Sequence, residues 1–181
     1  MLNHINNCLS KSIQSVLSRT EEFLLNPDKS FTRQSPLTLE IMIRSILGMG
    51  GKSLSKELLD LRLLVSSSAY VQRRYQIKHE LFEVIFHAFT NQIPRSHSLP
   101  ILAVDGSDLS IPDNPHDLET RLVTKKERKG YNLMHLNALF DLERGIYVDA
   151  NIQDKREADE RMAFIKMMKE SPFRTSTRHY G

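Results

Sequence analysis

"YNLMHLNALFDLERGIYVDANIQD", Tyr131 to Asp154, decides how the chain folds. In its first half the even positions Met134, Leu136, Ala138, Phe140 and Leu142 are apolar, while the odd positions include Tyr131, His135, Asn137 and Asp141. After "ERG", Glu143 to Gly145, the residues Ile146, Val148, Ala150 and Ile152 alternate with Tyr147, Asp149, Asn151 and Gln153. A period of two marks a strand with one buried face, so the spacing predicts two half-buried strands with their apolar positions inward. The three residues between them are short enough for a hairpin.

Upstream lies "LPILAVDGSDLSIP", Leu99 to Pro112. The four apolar residues Ile101 to Val104 predict a short strand buried on both faces, which places Asp105 at its end with Gly106 and Ser107 behind it. A carboxylate beside a core strand is costly unless something pairs with it. Asp105 therefore needs either a hydrogen-bonded Asx turn or a cation. Ser107 and Asp108 are assigned to the loop. Downstream, Glu157 to Lys169 returns to helical spacing through Met162, Ile165 and Met168, and the tail from Ser171 and Pro172 loses all periodicity. Three strands and one helix leave an edge uncovered and one sheet face only partly packed, as in a domain that stops early.

Before residue 98 the apolar spacing is helical. Ile13, Val16 and Leu17 share a face, and "SLSKELLDLRLLV" offers Leu54, Leu58 and Leu61 behind a Ser53 N-cap. "SSSAYVQRRYQI" follows with its own serine caps, and Lys78 to Ile93 turns Leu81, Phe82, Ile85, Phe86 and Phe89 inward before Pro94 ends it. The fold class is thus α+β, with a helical domain over 1–98 and a sheet domain over 99–181.

The 181 residues carry a net charge of +3 that is unevenly shared. Residues 1–98 hold 12 Lys and Arg against 8 Asp and Glu, whereas residues 99–181 hold 13 against 14. A basic front half suits a polyanion such as nucleic acid. The single cysteine, Cys8, rules out an internal disulfide framework and a Cys-rich zinc site. With no apolar run long enough to span a membrane and no signal-peptide pattern, the expected location is the cytoplasm.

"GMGGKS", Gly48 to Ser53, ends like a phosphate-binding loop. That loop needs a further glycine where this chain has Ile46, and a strand before it where this chain has the helix-like "LEIMIRSILG". A helix C-cap at Gly48 and a turn into the Ser53 cap account for it instead, and no nucleotide cofactor is expected.

An acid ending the first strand of a strand-strand-strand-helix run, with Ser107 and a basic connection beyond, resembles the catalytic core of ribonuclease-H-like nucleotidyl transferases. The likeness is greatest to the insertion-sequence transposases that carry an Asp, Asp, Glu metal triad, the bacterial group called IS four. "AVDGSDLSIP" resembles that group's first-aspartate block, "YNLMHLNALFDLERGIYVDANIQ" its second and third strands, and "SLSKELLDL" with "SSSAYVQRRYQI" its helical N-terminal region. The blocks run in order from about residue 35 to about residue 170.

The resemblance implies a helical DNA-binding region followed by the first three strands and first helix of an incomplete ribonuclease-H-like core. It implies that Asp105 is the first catalytic aspartate and a ligand of Mg²⁺. Such enzymes hold two Mg²⁺ ions about 4 Å apart, which clamp the attacking and leaving oxygens of a phosphodiester. Their second aspartate and their glutamate lie on later elements, so the chain is expected to be the front part of a transposase and inactive alone.

Among the local acids, Asp141 is expected on the order of 30 Å from Asp105. Asp149 is assigned to the outward face of its strand, and Asp154, Glu157 and Glu160 to a helix start that favours acids. DNA contact is expected from Arg73 and Arg74, with Tyr70 and Tyr75 nearby. It is also expected from the connection "RLVTKKERKG" through Arg121, Lys125, Lys126, Arg128 and Lys129. The expected partners are double-stranded DNA and either a full-length copy of the enzyme or a second copy of this chain. Two rival readings are a stand-alone DNA-binding or inhibitory protein and a genomic remnant without a role.

Overall fold

A computed structural model describes residues 2–94, 101–123, 129–154 and 158–170. The expectations for Lys125, Lys126, Arg128 and Glu157, and for the tail from Ser171, fall outside these residues. The chain is α+β and divides into two compact units, Met1–Ile93 and Pro94–Gly181. No helix among the described residues is long and apolar enough to cross a membrane.

The first unit contains five helices: α1 Leu2–Leu17, α2 Leu39–Gly48, α3 Leu54–Asp60, α4 Ser67–Arg74 and α5 Glu80–Thr90, with a 3-10 turn at Thr20–Phe23. Their starts follow from local chemistry. The Thr38 hydroxyl accepts from Ile41 N–H to cap α2, and the Ser66 hydroxyl accepts from Ala69 N–H to cap α4. Ser53 precedes α3 without a side-chain cap bond.

The apolar stripes meet in two clusters. Ile13, Val16, Phe23, Leu24, Leu39, Ile43, Leu81 and Ile85 pack together, and Leu37, Met42, Leu58 and Tyr70 form the second group. Tyr70, grouped with the arginines in the sequence reading, is instead fully buried with its hydroxyl 2.8 Å from Ser45 Oγ. Its ring fills the core and its oxygen finds a partner there, which a buried tyrosine requires.

The turn at "GMGGKS" wraps an anion of its own. Glu57 on α3 is buried, and its Oε1 accepts from Gly50 N–H at 2.9 Å and Lys52 N–H at 2.7 Å. Gly48 remains inside α2, Met49 takes the C-cap position, and Gly51 carries the positive φ of 82° that the turn needs.

The second unit is an antiparallel sheet of four strands: β1 Leu102–Ile111, β2 Arg121–Leu122, β3 Tyr131–Asp141 and β4 Ile146–Asp154. β3 is central. β1 pairs with it from Leu102↔Asp141 to Ile111↔Asn132, while β2 and β4 share its other side. Gly145, at φ 66°, turns the hairpin between β3 and β4 as expected from "ERG". A bulge between Leu139 and Phe140 places Val148 beside Leu139 in the core. Helix α6, Glu160–Glu170, starts at Asp159, whose carboxylate accepts from Met162 N–H. Ala163 and Met167, one turn apart, are its buried residues, whereas Met162 is mostly exposed.

Three expectations are corrected here. β1 does not stop at Val104; backbone pairing with β3 runs over all ten residues Leu102–Ile111, so Asp105, Ser107 and Asp108 are strand residues rather than a strand end and its loop. Being at the sheet's edge, β1 also leaves Ile101 and Val104 exposed, not buried on both faces. The faces of β3 are reversed as well. α6 covers the side with Leu139 and Val148, where His135, Asn137 and Asp141 are buried. Met134, Leu136 and Phe140 lie half-buried on the opposite side.

Candidate functional site

Asp105 is exposed near the start of β1, and its Oδ1 accepts only from the adjacent Gly106 N–H at 3.0 Å among the bonds described. Its cross-strand partner is Ala138, which in turn pairs with Ala150 on β4. Side chains alternate across a strand, so Asp105 projects from the face opposite α6, the same face that carries Leu136, Phe140 and Ile152. β1 has β3 on one side and no described strand on the other. Among the described residues Asp105 thus stands beside an unpaired sheet edge, on the face opposite α6.

The other acids are held elsewhere. Asp141 pairs with Leu102, three residues along β1 from Asp105, so it is on the order of 10 Å away and not the longer distance expected. It points to the α6 side, where Oδ2 accepts from Arg144 Nε–H at 2.7 Å and Oδ1 from the Glu143 and Arg144 N–H groups. Burial alone would raise its pKa; the Arg144 backbone and guanidinium, with the Glu143 N–H, outweigh burial and hold the carboxyl below its ordinary value. Asp149 is buried rather than outward, because the bulge turns it, and its Oδ1 accepts from Ala150 N–H. Asp108 Oδ1 lies 2.8 Å from His135 Nδ1, and His135 Nε2 lies 3.5 Å from Glu160 Oε1.

Among the described residues no group of three or more His, Cys, Asp and Glu side chains is placed to hold a metal ion. With alanines as its neighbours across the sheet, Asp105 is a lone carboxylate among the described residues. Mg²⁺ binds weakly to a lone acid and keeps most of its water, so these residues do not fit a two-ion centre.

The basic residues separate into two kinds. Arg121 is buried: its guanidinium donates to Asp113, to Asn132 Oδ1 at 3.0 Å and to the Lys129 carbonyl. Asn132 is itself enclosed, donating to the Asn114 carbonyl and Thr120 Oγ1. Thr120 also donates to Asp117, which lowers that carboxyl's pKa. Arg121 thereby ties the segment after β1 to β3, a structural task that its place in a basic run did not suggest. Lys129 is exposed.

In the helical unit Arg73 lies over the Phe31 ring, 4.9 Å from its centroid, and donates to Gln76 Oε1. Arg74 and Tyr75 are exposed. Arg73 lines a groove of about 690 Å³ together with Lys29, Arg33, Thr32, Gln72 and Gln76, with Asp28 also on its wall. Lys29 and Arg33 join Arg73 only because the segment between the 3-10 turn and α2 folds back against α4, a tertiary contact with no periodic signal in the sequence. Three cations with amide and hydroxyl donors between them suit a phosphate chain.

No protein-family model, no curated protein and no solved structure matches the chain.

Proposed function

We propose that the chain binds duplex DNA as part of an insertion-sequence transposase. In this reading the helical unit grips the phosphate backbone, and the second unit is the front portion of a ribonuclease-H-like core. The observation that carries the reading is the run β1, β3, β4 and α6, three long antiparallel strands leading into a helix. Asp105 projects from the edge strand onto the face that α6 leaves open. Further strands and helices of such a core have that edge and that face to occupy. Asp105 is then the acid at the first-carboxylate position of the family that the sequence resembles.

The described residues act on DNA by contact rather than by cleavage. A single carboxylate does not assemble a centre for phosphodiester transfer, whereas Lys29, Arg33 and Arg73 line one groove and provide clustered positive charge and counterion release, with Arg74 exposed next to Arg73 in sequence. That favours the DNA-binding or inhibitory role for this chain within the transposase reading.

Amide hydrogen exchange with and without a generic DNA duplex tests the proposal. Protection is expected over residues 26–36 and over α4, where the groove lies. Protection confined to other segments, or none at saturating DNA, contradicts it.

A further inference from the structure

We propose that His135 and Glu160 form a binding site for one divalent transition-metal ion of the zinc class, on the sheet face away from Asp105, with Asp108 orienting the imidazole. The His135 side chain is 7% exposed, and its Nδ1 lies 2.8 Å from Asp108 Oδ1. An ionised carboxylate can only accept in such a contact, so Nδ1 is the ring nitrogen turned to Asp108 and Nε2 is the one turned to the α6 side. Nε2 is buried without a hydrogen-bond partner, yet it faces Glu160 Oε1 at 3.5 Å. A buried ring nitrogen and a carboxylate oxygen that face each other without a hydrogen bond are both atoms that ligate a divalent cation.

The separation also suits a metal ion. An imidazolium N–H donating to a carboxylate closes to about 2.7–2.9 Å, shorter than the contact of His135 with Glu160. Two ligands of a tetrahedral zinc ion, each about 2.0–2.1 Å from it, stand about 3.4 Å apart. The observed 3.5 Å fits the second case.

Room for the ion comes from a glycine. A Cβ at Gly106 on β1 would lie 2.7 Å from both His135 Nε2 and Glu160 Oε1, so the missing side chain keeps that gap open. Asp108 behind the ring supplies the outer carboxylate that fixes the tautomer and strengthens the nitrogen as a ligand. With two protein ligands, the remaining positions fall to water, and affinity is lower than in a closed four-ligand site. The ion would join α6 to β3 directly behind the strand that bears Asp105. The inference stands apart from the DNA reading.

The test is titration of the chelator-stripped chain with Zn²⁺, following thermal unfolding and the ¹⁵N shifts of His135, which separate this site from the other histidines. One equivalent of Zn²⁺ is expected to raise the unfolding midpoint and to shift His135 Nε2. Glu160→Gln, at an exposed position that leaves the fold intact, is expected to weaken binding at least about tenfold, and Asp108→Asn about 10–100-fold. Gly106→Ala, which fills the gap, is expected to weaken it as well. Wild-type affinity in Glu160→Gln, or a His135 ring protonated on both nitrogens at neutral pH in excess Zn²⁺, overturns the proposal.

Discussion

Arg144 closes the β3–β4 hairpin onto Asp141 through a 2.7 Å ion pair whose side chains are only 9% and 3% exposed. Removing one partner of a buried pair leaves the other uncompensated. Arg144→Ala is therefore expected to destabilise the second unit by about 3 kcal/mol at pH 7, measured by urea unfolding. The Asp141 carboxyl is held below its ordinary pKa, so its contribution is complete above about pH 4 and is lost as the pH falls through the depressed value. The gap between variant and wild type is expected to narrow in acid; a gap that widens there contradicts the assignment.

Glu57 makes the second prediction. Its carboxylate accepts from the Gly50 and Lys52 N–H groups, which would otherwise be a nest for a phosphate. Glu57→Ala is expected to cost the helical unit about 3 kcal/mol, the value of two hydrogen bonds to a charged acceptor at the lower end of their range. Because the nest is filled from within, ATP with Mg²⁺ is expected to leave the wild-type melting temperature unchanged. Stabilisation by ATP that Lys52→Ala removes would restore the phosphate-loop reading.

Arg73 and Arg74 are neighbours in sequence with different duties. Arg73 stacks on Phe31, whereas Arg74 is exposed. Arg73→Ala is expected to lose about 1 kcal/mol of stability together with DNA affinity, and Arg74→Ala to lose affinity with stability changed by less than about 0.5 kcal/mol. Denaturant melts beside DNA titrations of both variants check the distinction; equal stability losses contradict it.

Much of the helical unit was legible, because Ile13, Val16, Leu58, Leu81 and Ile85 announce their buried faces at a period near 3.6. The positions of β3 and β4 were legible too, but not the length of β1, the short β2 or the inner face of β3. In β3 the alternation Met134, Leu136, Ala138, Phe140 marks an apolar side, and the rule that apolar sides turn inward places it in the core. α6 packs on the other side because Leu139 and the bulged Val148 meet Met167 there. The polar residues it covers are largely satisfied by one another, as in Asn137 with Gln153 and Asp141 with Arg144. Such pairings are long-range and leave no trace in periodicity. The same limit hid the site chemistry: Asp108, His135 and Glu160 come from three elements, and Lys29 and Arg33 reach Arg73 across a turn segment. Asp105 stands out in the sequence because its motif is local.

DNA affinity across a salt series tests the central claim most directly, using a fluorescent duplex with wild-type chain, the Arg73→Ala/Arg74→Ala double variant and Asp105→Asn. The logarithm of the binding constant is expected to fall linearly with the logarithm of salt concentration. The double variant should flatten that slope by about 1–2 units, while Asp105→Asn leaves it unchanged. Binding that ignores salt, or a double variant with the wild-type slope, would contradict the account.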